Sequence, residues 1–142
     1  MPAMLRAIGR IVTAFALLTG VSAATLAAAA PARAAWSDAH QVTVTRTGGF
    51  AGVNERYEVS AGTVHVYTAN LLATVGTREF RRLCPAYPAG TGADRFHYTV
   101  TVTYRSGVTK TVSTEDGAEA PELLWQVIDM TMQISRDLAP IS

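Results

Sequence analysis

The side chains best suited to chemistry are few and scattered: three histidines, His40, His65 and His97, and one cysteine, Cys84. A zinc site needs three or four converging ligands, and no two of these histidines stand at the i,i+4 spacing that brings ligands together on a helix. His65, His97 and a carboxylate are the only candidate set, and we interpret each histidine instead as part of a polar sheet face. The sequence therefore predicts no metal site and no cofactor.

A nucleophile paired with a base is the other chemistry to consider. Cys84 or a serine with His97 would supply one, but neither lies in a nucleophile elbow or a comparable local signature. The glycine-rich segment 48–52 also lacks the Lys-Ser/Thr ending of a phosphate loop. We therefore expect a protein that is not an enzyme and has no catalytic residues. Cys84 is either a buried small hydrophobe or a free thiol able to pair between chains.

The N-terminal stretch has the features of a secretion signal. Two arginines precede an apolar run that extends from Ile11 to about Ala30, and a small-x-small pattern ends at Ala34. We place the cleavage after Ala34, which predicts a signal peptide over residues 1–34, a single domain over residues 35–142 and a secreted protein. An uncleaved membrane anchor is the alternative, because the apolar run is about as long as a bilayer span.

Removal of this leader changes the charge balance, since Arg6, Arg10 and Arg33 leave with it and no acid does. The formal net charge of +1 then becomes −2. Binding to a nucleic acid or an anionic membrane relies on clustered basic residues, and the remaining ones form no cluster. We therefore expect no nucleic-acid partner and no membrane association after cleavage. We also expect a monomer.

Alternation with a period of two residues predicts the strands. The strongest alternation runs over residues 96–105, with aromatic residues and valines on one face and His97 and threonines on the other. Residues 41–46 alternate valine with threonine in the same way. Residues 56–60 and 63–67 are typical of two short strands around a turn.

The strand over residues 96–105 is followed by a hairpin. Val108 and Val112 are in phase with each other, and a three-residue loop with a left-handed Gly107 places Val112 beside Val100. A two-residue turn would instead place both valines on the threonine face. We expect the three-residue loop.

Two helices complete the predicted domain. The first begins at a capping Asn70 and carries apolar residues as far as Leu83, with Gly76 weakening its middle. The second follows an acidic, proline-containing start at residues 116–121 and repeats apolar residues at helical spacing from Leu124 to Leu138. The expected fold class is α+β, with a small antiparallel sheet covered on one face by two helices.

Two segments stand out as candidate binding regions. In the first, glycines surround one bulky apolar residue; its members are Thr47, Gly48, Gly49, Phe50, Ala51 and Gly52. It is either a thin loop able to enter a cleft or a β-bulge or turn in which Phe50 folds back into the core, and composition alone favours the second interpretation. In the second, Asp94 and Arg95 either orient a partner or pair with each other at the surface, and composition alone favours the surface pair.

Taken in order, these segments resemble the emfourin-like proteins, small protein inhibitors of protealysin and other thermolysin-like zinc metallopeptidases. The resemblance rests on the motif over residues 47–52 and on the Gly-Ala-Asp-Arg-Phe-His-Tyr-Thr-Val motif over residues 92–100, and it covers roughly residues 40–135. The sequence departs from the family pattern in two ways. It carries a leader, and Glu79 is the only carboxylate between Ser60 and Pro85.

The resemblance implies a function and a site. The chain would be a secreted inhibitor whose partner is a thermolysin-like metallopeptidase secreted by the same cell, with Phe50 offered to the pocket beyond the scissile bond. The implied partner-binding residues are Gly48, Gly49, Phe50, Ala51, Gly52, Asp94 and Arg95. An extracellular ligand- or protein-binding module without inhibitory activity is the first alternative, and a small enzyme using His97 with Cys84 or a carboxylate is the second.

Overall fold

The computed structural model describes residues 38–92 and 94–140. The predicted signal peptide and its cleavage site lie outside these residues. Among the residues described, no helix is long and apolar enough to cross a membrane.

The described chain forms an α+β fold around a five-stranded mixed sheet, which confirms the predicted class. The strands are β1 (Ala39–Gly48), β2 (Val53–Ser60), β3 (Ala86–Tyr87), β4 (Phe96–Tyr104) and β5 (Thr109–Glu115), and the helices are α1 (Thr68–Val75), α2 (Arg78–Arg81) and α3 (Glu122–Asp137). The order across the sheet is β2-β1-β4-β5-β3. Four strands pair antiparallel, and only the two-residue β3 adds to β5 in parallel.

The core forms on the sheet face that the alternation predicted. Side chains of the sheet that are fully buried include Val42 and Val44 of β1, Val100 and Val102 of β4, and Val112 of β5. They form one cluster with helix residues, among which are Leu71, Val75, Leu124, Val127, Ile128 and Ile134. Helix α3 contacts β1 and β2, and α1 contacts β1 and α3. Coverage of one whole face by the helices stays a prediction.

The β4–β5 hairpin has the predicted register. Val100 pairs with Val112, and the Tyr104 N–H donates to the Val108 carbonyl at 2.9 Å, which closes a three-residue loop. Gly107 has a φ of 88°, a conformation that residues with a Cβ rarely adopt. The left-handed glycine is therefore confirmed.

The predicted strand over residues 63–67 is wrong. The Thr63 hydroxyl accepts from the Ser60 N–H at 3.0 Å, and the Thr63 N–H donates to the Ser60 carbonyl at 2.9 Å. These bonds close a turn at the end of β2, and the chain then enters α1 at Thr68 rather than at a cap by Asn70.

The single helix predicted between Asn70 and Leu83 is in fact two. Helix α1 ends at Val75, and the Thr77 side chain accepts from the Phe80 N–H at 3.3 Å as the N-cap of α2. Thr77 is extended, with a ψ of 155°, so the helix cannot continue through it. The buried positions Leu71, Val75 and Phe80 still belong to the core, as the spacing predicted.

Candidate functional site

The glycine-rich segment is the loop of the β1–β2 hairpin. β1 continues to Gly48, which pairs with Val53, so the loop itself is Gly49–Gly52. The Gly52 N–H donates to the Gly49 carbonyl at 3.1 Å, which makes these four residues a tight turn. Phe50 and Ala51 therefore occupy the tip. We call residues 48–52 the tip loop.

Phe50 projects from the tip loop into solvent. Its side chain is 94% exposed, the most exposed of the large hydrophobic residues in the described part of the chain. The segment does form a turn, but the expectation that Phe50 folds back into the core is wrong. Phe50 is therefore available for contact with another molecule.

The base of the tip loop is packed against the start of β4. The Gly49 N–H donates to the Arg95 carbonyl at 3.0 Å. A Cβ on Gly48 would lie 2.5 Å from that carbonyl oxygen, and a Cβ on Gly49 would lie 2.6 Å from the Phe96 ring. Both glycines also have positive φ, at 94° and 71°. Glycine is therefore needed at both positions for the close approach of the loop to β4 as well as for the turn.

A set of polar contacts braces the hairpin just behind the loop. Arg46 and Glu55, which are cross-strand neighbours, form an ion pair at 2.7 Å. The Tyr57 hydroxyl donates to the same Glu55 carboxylate at 2.7 Å, and the Arg46 guanidinium lies over the Phe96 ring, 4.4 Å from its centroid. The hydrogen bond from Tyr57, with a further contribution from Arg46, holds the pKa of Glu55 below its ordinary value.

Arg95 has a different environment from the one that the sequence suggested. Its guanidinium does not pair with Asp94 but donates to three backbone carbonyls: to Ala89 at 3.3 Å, to Asp116 at 3.1 Å and to Thr91 at 3.4 Å. The interpretation of Asp94 and Arg95 as a surface pair is therefore wrong. Most of the donors of Arg95 therefore serve the fold.

Asp94 is exposed and adopts a φ of 63°, the only positive φ at a non-glycine position of the described chain. Aspartate tolerates this conformation better than most residues, and such strain is found at turns and binding sites. Asp94 and the tip loop lie at the same end of the sheet, because Gly49 is bonded to the residue that follows Asp94. The structure thus brings together the two segments that the sequence singled out.

Sequence reasoning missed Arg46, Glu55, Phe96 and Asp116 as supports of this end of the sheet. The Asp116 carboxylate accepts from the Phe96 N–H at 3.3 Å, and the Asp116 N–H donates to the Phe96 carbonyl at 3.0 Å. A signal for Arg46 and Glu55 was present, because opposite charges flank the glycine segment at positions that a hairpin would pair. Asp116 could be assigned only once the turn after β5 was seen beside β4.

The remaining candidates for chemistry are dispersed. His97 is exposed on the threonine-rich face, and its Nδ1 lies 3.3 Å from the Glu115 carboxylate, beside a pocket of about 220 Å³. His65 lies 3.2 Å from Asp137. Within residues 38–92 and 94–140, no group of three His, Cys, Asp or Glu side chains is arranged to hold a metal ion. Cys84 is exposed, so its interpretation as a buried hydrophobe is wrong.

A small α+β domain with a braced hairpin and a fully exposed aromatic tip has the form of a protein that presents a loop to a partner. The family model that matches it is Emfourin, over residues 44–129. This match covers more than half of the chain and includes the tip loop, Arg95 and the first half of α3, and the chain therefore belongs to the emfourin family. No curated protein and no solved structure matches the chain.

Proposed function

We propose that this protein is a secreted inhibitor of thermolysin-like zinc metallopeptidases and that the tip loop occupies the substrate cleft. Membership of the emfourin family supports the class of function. The observation that carries the mechanism is Phe50, 94% exposed at the tip of a loop whose base is fixed to the sheet.

The chemistry of the tip suits the proposed target. Thermolysin-like peptidases prefer a bulky apolar side chain just after the scissile bond, as the family resemblance implies. Insertion of Phe50 into that pocket would place the Gly49–Phe50 peptide at the metal. Burial of a phenylalanine side chain contributes about 2–3 kcal/mol, so one residue can dominate the affinity of such a contact.

A loop that is bound like a substrate must also resist turnover. The bond from Gly49 to Arg95 and the pairing of Gly48 with Val53 hold both ends of the loop. After cleavage, ends held in this way would stay together, and binding would lose little conformational entropy because the loop is ordered beforehand. Inhibition would follow from this rigidity rather than from any chemical reaction of the inhibitor.

The tip loop is too small to form the whole interface. A standard protease–inhibitor interface buries about 1,600 Å² in total. The exposed turn that contains Asp94 lies at the same end of the sheet and is the natural source of further contacts. We include Asp94 in the proposed interface, and we assign Arg95 the role of holding the tip loop in position.

Export is part of this proposal. A leader over residues 1–34 would deliver the domain to the compartment in which secreted metallopeptidases act. Cys84 is the only cysteine, so no disulfide within the chain is required for folding there.

The decisive experiment is a titration of a thermolysin-like peptidase with the purified protein, using a chromogenic peptide substrate. We expect stoichiometric loss of activity that persists in excess zinc, since removal of the metal would be reversed by added zinc. Undiminished activity across several thermolysin-like enzymes, including one secreted by the same cell, would falsify the proposal.

One observation favours a second candidate, a binding module without inhibitory activity. Val64 and Val66 are 90% and 80% exposed, and they lie beyond the far end of β2, where Ser60 pairs with Gln41. This patch is separated from the tip loop by the length of the hairpin. A complex with a partner that survives Phe50→Ala but is lost on Val64→Asp would favour the binding module.

A further inference from the structure

Arg95 lies where three segments of the chain meet. Its backbone carbonyl accepts from Gly49 of the tip loop. Its guanidinium donates to carbonyls of the preceding segment, Ala89 and Thr91, and to the carbonyl of Asp116 in the turn after β5. No other residue of the described chain is shown bonding to all three of these segments.

We propose that Arg95 is the positioning residue of the inhibitory loop: it fastens the tip loop, the backbone at Ala89 and Thr91 and the turn after β5 into one rigid unit. This assignment rests on the proposed function for its biological meaning. The physical claim is that the conformation of Gly49, and with it the direction of Phe50, depends on where the guanidinium holds the backbone of Arg95.

Two glycines next to the Arg95 guanidinium leave the space that this side chain occupies. A Cβ on Gly92 would lie 2.6 Å from the Arg95 Nε, and a Cβ on Gly117 would lie 3.4 Å from its Nη1. Two glycines on different segments thus leave room for one side chain. Any larger residue at position 92 would displace the guanidinium from the carbonyls that it binds.

Arginine suits this place because its guanidinium is planar, permanently charged and carries five N–H donors in a fixed arrangement. Its Nη1 donates to the carbonyls of Ala89 and Asp116, which belong to separate segments, and its Nη2 donates to the carbonyl of Thr91. A lysine has one terminal nitrogen, so it could not reproduce this arrangement of donors on two nitrogens. Charge-assisted hydrogen bonds of this kind are stronger than those between neutral groups.

Phe50 depends on this support because it makes no contact of its own with the core, being almost fully exposed. Its position is set only through the backbone of the tip loop. Loss of the Arg95 side chain would release the backbone at Ala89 and Thr91 and allow the Arg95 carbonyl to move away from Gly49. The loop would then sample many conformations and lose both affinity and resistance to cleavage.

The test compares Arg95→Met with Arg105→Met. Arg105 is exposed at the other end of β4, so the control removes the same charge far from the tip loop. Amide hydrogen exchange in the free protein reports on the Gly49 N–H, and peptidase assays report the inhibition constant and the rate of cleavage at Gly49–Phe50. In Arg95→Met we expect Gly49 exchange and the inhibition constant each to rise about tenfold, the effect of losing about one charge-assisted hydrogen bond, and cleavage to accelerate.

The central amides of β4, at Val100 and Val102, separate positioning from general destabilisation. Their exchange should rise by a smaller factor than that of Gly49, whereas a merely structural role would raise all three by the same factor. If Arg95→Met does not fold, Arg95→Lys takes its place, with faster Gly49 exchange as the expected result.

Gly49 exchange equal to that of the wild type in a folded Arg95 variant overturns the assignment, whatever the inhibition assays give. A wild-type protein that inhibits no thermolysin-like peptidase overturns the proposed function instead. The two failures are therefore distinguishable.

Discussion

The two antiparallel hairpins of the sheet both turn on glycines with positive φ, but their surroundings differ. A Cβ on Gly107, in the β4–β5 loop, would meet no atom within 4 Å. A Cβ on Gly48 or Gly49, in the β1–β2 loop, would meet neighbouring atoms at 2.5 or 2.6 Å. The first loop needs glycine for its backbone conformation alone, and the second needs it also for close packing.

The two hairpin loops also differ in the residues at their tips. The β4–β5 loop carries Arg105 and Ser106, which are ordinary surface residues, whereas the β1–β2 loop carries Phe50. A hairpin that only reverses the chain has no need of a packed base or an apolar tip. The β1–β2 hairpin has both, and this contrast is the physical case for treating it as the functional one.

The largest expected effect is on inhibition. Phe50→Ala should raise the inhibition constant about 100-fold or more, because a central aromatic anchor dominates such interfaces. Arg105→Ala, at the tip of the other hairpin, should leave it unchanged. Both variants should melt at the wild-type temperature, since neither side chain is buried. Full inhibition by Phe50→Ala would show that the tip loop is not the inhibitory element.

The second effect is on stability. Gly49→Ala combines left-handed strain with a clash against the Phe96 ring, and we expect it to lower the free energy of unfolding by about 3 kcal/mol. Gly107→Ala carries the strain without the clash and should cost about 1 kcal/mol. Urea unfolding measures both. Equal losses of unfolding free energy in the two variants would mean that the base of the β1–β2 loop rearranges to accommodate the added methyl group.

A smaller effect is expected at the β4–β5 end of the sheet, where a substitution should lower the free energy of unfolding without changing the inhibition constant. The Tyr104 hydroxyl donates to the Val75 carbonyl at 2.7 Å and so ties α1 to the sheet. Tyr104→Phe leaves that buried carbonyl without this donor, which should cost about 1–2 kcal/mol of unfolding free energy. The inhibition constant, measured well below the melting temperature, should not change. A weakened inhibitor would show that the two ends of the sheet are coupled.

The smallest effect is a pH dependence at the β1–β2 end. The pKa of Glu55 is held below its ordinary value of 4.5 by the hydrogen bond from Tyr57, and Arg46 adds to this. Because the folded pKa is the lower one, the contribution of Glu55 is fully present above pH 4.5 and is lost as the pH falls through the folded value. Between pH 5 and pH 3, wild-type stability should fall more steeply than that of Glu55→Gln. Parallel curves would assign the acid sensitivity to other carboxylates.

Sequence patterns predicted the central part of the fold well. Alternation in residues 96–105 and 41–46 gave the buried valines of β4 and β1, and the phase of Val112 gave the hairpin register. These patterns succeed because one face of each strand is buried in the core, so apolar residues must recur at every second position of the strand. Helix α3 followed its apolar spacing, except that Leu138 lies past its end and is exposed.

The predictions failed where a few hydrogen bonds decide between conformations of similar energy. The turn closed by Thr63 and the cap at Thr77 are such cases. In the candidate site, the glycines and Phe50 could be singled out from the sequence, but the three carbonyls around Arg95 could not. Their convergence depends on segments far apart in the chain, and neither composition nor spacing records it.

The outer edge of β2 has a consequence for the behaviour of the protein at high concentration. The Ser135 hydroxyl accepts from the Glu58 N–H and donates to the Glu58 carbonyl. At Ser60, the N–H donates to the Thr63 hydroxyl and the carbonyl accepts from the Thr63 N–H. The outward backbone groups at this end of β2 are therefore unavailable to a strand from another molecule. Among the residues that the structure describes, none covers the part of the edge near Asn54 and Arg56, and Arg56 is charged and exposed. Protection of this part of the edge removes positions at which a strand from another molecule could pair and start an aggregate.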